Sequence, residues 1–169
     1  MAAGTSFALG QFRAHTDFGP RADDFTGVVV GDDVAPLAAL FPAAPDLDAL
    51  LADWPTQLKL LTDVAGEARA GRRWADLARP VSDFARRAPL RPGQIFQSGA
   101  TAPTEERAAS GTPYVFIGLA SAICGPDDNV VLPDIGTQHD WELELGVVIG
   151  TEAYRVGTEE ALSHVAGYV

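Results

Sequence analysis

Hydrophobic and polar positions change period several times along this chain. The segments "TSFALGQFRA" (5–14) and "DFTGVVVGDDV" (24–34) alternate partly or carry short apolar runs, the second closed by Gly31-Asp32-Asp33. They predict strands of a small β-rich opening unit. Helical spacing takes over in "DLDALLADWPTQLKLLTDVAGEARAG", where Leu58, Leu61, Ala65 and Ala68 share a face. Pro55 suits a first helical turn and Gly71 a stop. From Arg79 to Gly93 the dipeptides Arg-Pro and Ala-Pro and the run Arg-Pro-Gly predict a connector without regular elements. Strand-like text then returns in "QIFQSG", "YVFIGLASAI", "NVVLP" and "WELELGVVIG", separated by Gly, Pro, Asp and Asn. Near the C-terminus, Thr158 predicts an N-cap for a helix over "EEALSHVAG", with Glu159 and Glu160 in its first turn and Gly167 as its stop. The pattern predicts a mixed α/β chain, mostly β in its second half. Residues 1–93 form an N-terminal α+β unit with its connector, and residues 94–169 a second unit.

At 169 residues the chain has the size of one domain, and such a protein buries roughly 70% of its unfolded surface. Its net charge of −11 argues against a nucleic-acid partner, which needs clustered positive charge. Seven of its twelve basic residues fall between Arg69 and Arg91, which reads as a solvated connecting surface. Cys124 has no second cysteine to pair with, and its apolar neighbours predict a small buried thiol. No apolar run reaches about 18 residues and no basic-then-apolar leader opens the chain, so the expectation is a cytoplasmic protein with no membrane partner.

Chemistry concentrates in "DWELELGVVIG" (140–150). In a strand, Glu142 and Glu144 would point to one face with Asp140, and Trp141, Leu143, Leu145 and Val147 to the other, which would be the core face. Two like charges about 6 Å apart repel by about 0.7 kcal/mol in water, but by about 3 kcal/mol at an effective dielectric of 20. A buried pair therefore needs a raised pKa or a cation between its members. Oxygen-only ligands suit Mg²⁺, Mn²⁺ or Ca²⁺. A solvated polar strand face is the other reading that spacing alone leaves open. His139 would turn away from the glutamate face, and His15 and His164 have no neighbouring partner in sequence; His164 could cap its own helix. Ser98 beside Gly99 lacks the Gly-x-Ser-x-Gly elbow of a serine hydrolase.

Taken together, "GPDDNVVLP", "DWELELGVVIG" and "EEALSHVAGYV" resemble the fumarylacetoacetate hydrolase family, clearly over residues 94–169 and loosely before them. The resemblance implies a β-roll catalytic domain, incomplete here, in a homodimer. It also implies that Glu142 and Glu144 bind a catalytic Mg²⁺ or Mn²⁺. Family members act on small 1,3-dicarbonyl or 2-oxo acids, cleaving C–C bonds, decarboxylating or isomerising through a metal-stabilised enolate. Three departures follow from it. The Asp that supplies a third ligand would lie after the helix ending in Gly-Tyr, and this chain stops at Val169, so the expectation is a chain truncated before that ligand. The His-bearing lid segment is replaced by Thr101 and "TAPTEERAASGTP", so no catalytic His is assigned. Gly118 stands where many relatives carry a substrate-facing Lys. The alternative expectation is a non-catalytic remnant or interaction module with the family fold.

Overall fold

The computed structural model describes residues 6–15, 23–43, 46–68, 71–98 and 115–169. The strands β1 (Ala8–Ala14), β2 (Phe25–Val30) and β3 (Asp33–Pro36) form where the apolar pattern predicts them. β2 and β3 are joined across Gly31-Asp32, with Gly31 at φ 64°, a left-handed conformation that costs glycine least. With β4 (Arg79–Pro80) and β5 (Phe84–Arg87) they make an antiparallel sheet of order β4-β3-β2-β1-β5.

β5 is a correction to the expected connector. Its residues pair with β1 in the register Gln11↔Arg87 to Ala14↔Phe84, and β1 supplies the hydrogen bonds that this Pro-flanked stretch cannot provide for itself. Proline is tolerated here because β4 and β5 are the two edge strands.

Four helices accompany the sheet: α1 (Leu37–Leu40), α2 (Leu47–Ala52), α3 (Trp54–Ala68) and α4 (Arg72–Leu77). The helical text over 46–71 forms two helices, and α3 carries Pro55 in its first turn and the face of Leu58, Leu61, Ala65 and Ala68 as its spacing predicts. Pro55 has no N–H, and its ring would clash with the carbonyl of Leu51, so a helix must restart near Trp54 rather than run through. Asp53 takes the break, at φ −136° and ψ 52°. Asp46 caps α2, its Oδ1 accepting the Ala49 N–H at 2.8 Å. Gly71 is the N-cap of α4.

Strand alternation sorts the sheet into two faces. One carries Leu9, Val28 and Ala35, which pack with Leu37, Leu40, Leu47, Leu50, Trp54 and Leu61 into the core under the helices. The other carries Phe12, Phe25 and Phe84, with ring centroids 5.3–6.3 Å apart. All the buried hydrophobic residues among those described lie between Phe12 and Ala65.

After Arg87 the architecture opens. β6 (Ile95–Ser98) and β7 (Val115–Gly118) form one two-stranded ribbon, and β8 (Val147–Ile149) and β9 (Val165–Tyr168) another. "NVVLP" forms no strand, and "DWELELGVVIG" is a strand only at Val147–Ile149. The helix expected over 159–167 is one turn, α5 (Thr158–Ala161), preceded by Gly157 rather than capped by Thr158, and followed by a 3-10 turn at Leu162–His164. Gly167 belongs to β9, opposite Val148. The β-branched Val165 and the free edge of β8 favour extension over a further helical turn.

Two joints fasten this open region to the sheet and its helices. Gly150 lies against Trp54: a Cβ on it would stand 2.8 Å from Trp54 Cδ1 and 2.6 Å from Ala166 Cβ. On the other side, Arg86 of β5 forks onto Asp127, its Nη2 and Nε donating at 2.6 and 3.0 Å.

Candidate functional site

Glu142 and Glu144 lie in a stretch, residues 140–145, that forms no regular element and, among the described residues, has no ladder partner. β9 accompanies the chain only from Gly146 onward, where Gly146 and Val169 exchange backbone hydrogen bonds at 2.7 and 2.9 Å. Both glutamates are exposed. The expected core face of this segment is uncovered as well: Trp141 is 79% exposed, Leu143 89% and Leu145 72%. The residue-by-residue alternation in sequence therefore does not become a buried and a solvated face. An apolar face buries only when a second layer packs on it, and the described residues provide none there.

Asp140 uses one carboxylate oxygen on the Trp141 N–H, at 2.8 Å. Among the described residues, no three His, Cys, Asp or Glu side chains gather into a metal-ligating group. His139 and His15 are exposed, and His164 Nδ1 lies 3.4 Å from the Thr151 carbonyl oxygen, facing the β8 side rather than capping a helix. Ser98 is an exposed residue at the end of β6. The segment 101–114, to which the expected change in the lid belongs, lies outside the described residues.

The chemically richest described cluster is one that the sequence reading treated as a solvated surface. Asp24 accepts from Arg13 Nε at 2.6 Å and lies 3.9 and 3.8 Å from Arg87 and Arg91. Arg87 Nη1 stands 3.7 Å from Asp128, whose other oxygen accepts the Gly125 N–H at 2.8 Å. The hydrogen bond from Arg86, more than its charge, holds the Asp127 carboxyl below its ordinary pKa; the same hydrogen bond raises that of Arg86. Cys124 is exposed beside this cluster, against the expected burial, because the chain leaves the 3-10 turn Ala120–Ala122 along an open cleft. The only sequence signal was the pair of doublets Arg86-Arg87 and Asp127-Asp128, and a separation of 41 residues hides their meeting until β5 is placed.

Comparison with known proteins places the chain in a family. Residues 101–169 match the model of the fumarylacetoacetate (FAA) hydrolase C-terminal domain. A 2,4-didehydro-3-deoxy-L-rhamnonate hydrolase of a Sphingomonas species is 34% identical over 159 residues, which are 90% of this chain and 50% of that protein. A mitochondrial oxaloacetate tautomerase of Bos taurus is 46% identical and a putative hydrolase of Burkholderia ambifaria 50% identical, each over 56 residues, 33% of this chain and 18% and 20% of theirs. The chain belongs to the fumarylacetoacetate hydrolase family. It spans half or less of the length of these relatives.

Proposed function

We propose that this chain is part of a metal-dependent hydrolase or lyase acting on C–C bonds of small 1,3-dicarbonyl or 2-oxo acids. Glu142 and Glu144 are its metal ligands. What carries the reading is the Glu-x-Glu pair inside a region that matches the family, beside a hydrolase relative aligned along 90% of the chain. Small oxo-acid substrates follow from the relatives' names. A homodimer is proposed with them, because the uncovered apolar side chains around the pair need a second layer.

The donor set fits a hard cation in kind. Both side chains offer only oxygen, both are free of competing hydrogen bonds among the described residues, and Mg²⁺ is commonly held by one or two carboxylates with water and substrate oxygens completing the shell. When bound, the cation would act as a Lewis acid that stabilises enolate charge on the substrate. The chain's own contribution is to set two negative charges on one short segment, anchored at Gly146 by its bonds to Val169 and at Gly150 by the Trp54 contact.

A second reading, a family fold used for interaction rather than catalysis, is favoured by the exposure of both glutamates, since a catalytic site works through preorganised groups shielded from water. Calorimetric titration of the chain with Mn²⁺ separates the two. The metal-site reading expects a Kd weaker than about 1 μM, because few charged ligands hold hard cations loosely. It also expects at least about tenfold loss, or 1.4 kcal/mol, in Glu142→Gln. No difference between wild type and Glu142→Gln overturns the ligand assignment. Acylpyruvate and oxaloacetate turnover above the metal-only rate would overturn the non-catalytic reading.

A further inference from the structure

We infer that the cleft between the β5–β6 connector and residues 120–128 is a binding site for a short-chain carboxylate. It has a volume of about 530 Å³, within the ordinary range for small-ligand pockets, and its walls include Arg87, Arg91, Leu90, Ile123, Ser121 and Asp128. Neither Glu142 nor Glu144 lines it, so it stands apart from the metal reading.

Charge is the first argument. In a chain of net charge −11, the four guanidinium groups of Arg13, Arg86, Arg87 and Arg91 here meet three carboxylates, Asp24, Asp127 and Asp128. Two of those carboxylates are already engaged: Asp127 by the Arg86 fork and Asp24 by Arg13. Asp128 gives one oxygen to the Gly125 N–H. Among the described residues, what remains for Arg87 and Arg91 are ion pairs at 3.7–3.9 Å, beyond direct hydrogen bonding. Arg87 Nε is buried with no hydrogen-bond partner among the described residues. An arginine presents five donors in a planar fork, and leaving such donors unmet in a half-buried place is costly.

The walls define the ligand. A planar carboxylate matches the guanidinium fork with two parallel hydrogen bonds. Leu90, Ile123 and Ala120 offer apolar contact to a short hydrocarbon body, which inorganic phosphate would not use. The Ser121 hydroxyl adds a neutral donor at the same wall.

Titrating the isotope-labelled chain with sodium butyrate, and following the Ser121 and Gly125 amides and the Arg87 Nε–H signal by NMR, tests the site. Saturable shifts with a Kd on the order of 1 mM are expected. Arg91→Gln should weaken binding about tenfold, a loss of one charge-assisted pair; Arg91 is 83% exposed, so this variant keeps the fold. Arg87→Gln should weaken it at least as much, and Glu142→Gln should leave it unchanged. The inference is overturned by shifts that never saturate, by equal affinity in Arg91→Gln, or by tighter binding of inorganic phosphate than of butyrate.

Discussion

The residues up to Arg87 and those after Val115 have similar shares of apolar side chains but use them differently. In the first region, Leu37, Leu50 and Leu61 are fully buried between helices and sheet. In the second, Ile117 on β7 and Trp141, Leu143 and Leu145 stand largely in solvent. Five strands and four helices make two layers, and two layers are what a core requires; a pair of two-stranded ribbons has no layer to close against. The lesson is that hydrophobic patterning stabilises a region only where topology supplies the opposite face.

That contrast can be broken by mutation. Leu50→Ala or Leu61→Ala should lose about 2–5 kcal/mol in urea unfolding, because each leaves a cavity in the layered core. Leu143→Ala should change the same measurement by less than about 0.5 kcal/mol. A loss at Leu143 as large as at Leu61 would mean that the second region is packed in solution, and the contrast would fail.

The joint between the regions gives the next largest effect. Gly150→Ala forces a methyl against Trp54 and Ala166 and should cost about 1–3 kcal/mol, together with a change in Trp54 fluorescence. An unchanged spectrum and stability would show that β8 and β9 do not rest on α3. Within the first region, Asp46→Ala should cost about 1 kcal/mol by uncapping α2, read from thermal unfolding, with Asp46→Asn keeping most of it.

The smallest effect belongs to the second joint. The pKa of Asp127 is lowered in the folded chain by its bond to Arg86, so the contribution of the pair is present above the unfolded carboxylate value of about 3.9. It disappears as pH falls through the lower folded value. Carboxyl NMR titration should find Asp127 below the exposed aspartates, and Arg86→Gln should bring it back to the ordinary range. The effect on stability should be slight, since both side chains are more than half exposed.

Much of the first region was legible in the sequence for a physical reason. The Gly31-Asp32 turn, the strands β1 to β3 and the Leu61/Ala65 face of α3 depend on contacts between near neighbours, and their signals are local. β5 was missed because Phe84–Arg87 becomes a strand only beside β1, some seventy residues earlier in the chain, and β9 because the free edge of β8 outweighs the helical signal of "EEALSHVAG". Cys124 was misjudged since burial depends on what covers a residue, not on its own neighbours in sequence.

The sequence by itself determined the family, the existence of a paired carboxylate at Glu142 and Glu144 and the side-chain alternation around it, since side-chain chemistry and short-range order travel with the chain. Only the tertiary structure decided that Trp141, Leu143 and Leu145 lie uncovered, and that arginines of β5 meet aspartates 41 residues away beside a cleft. Burial and long-range ion pairing are properties of surfaces brought together, and no stretch of chain carries them alone.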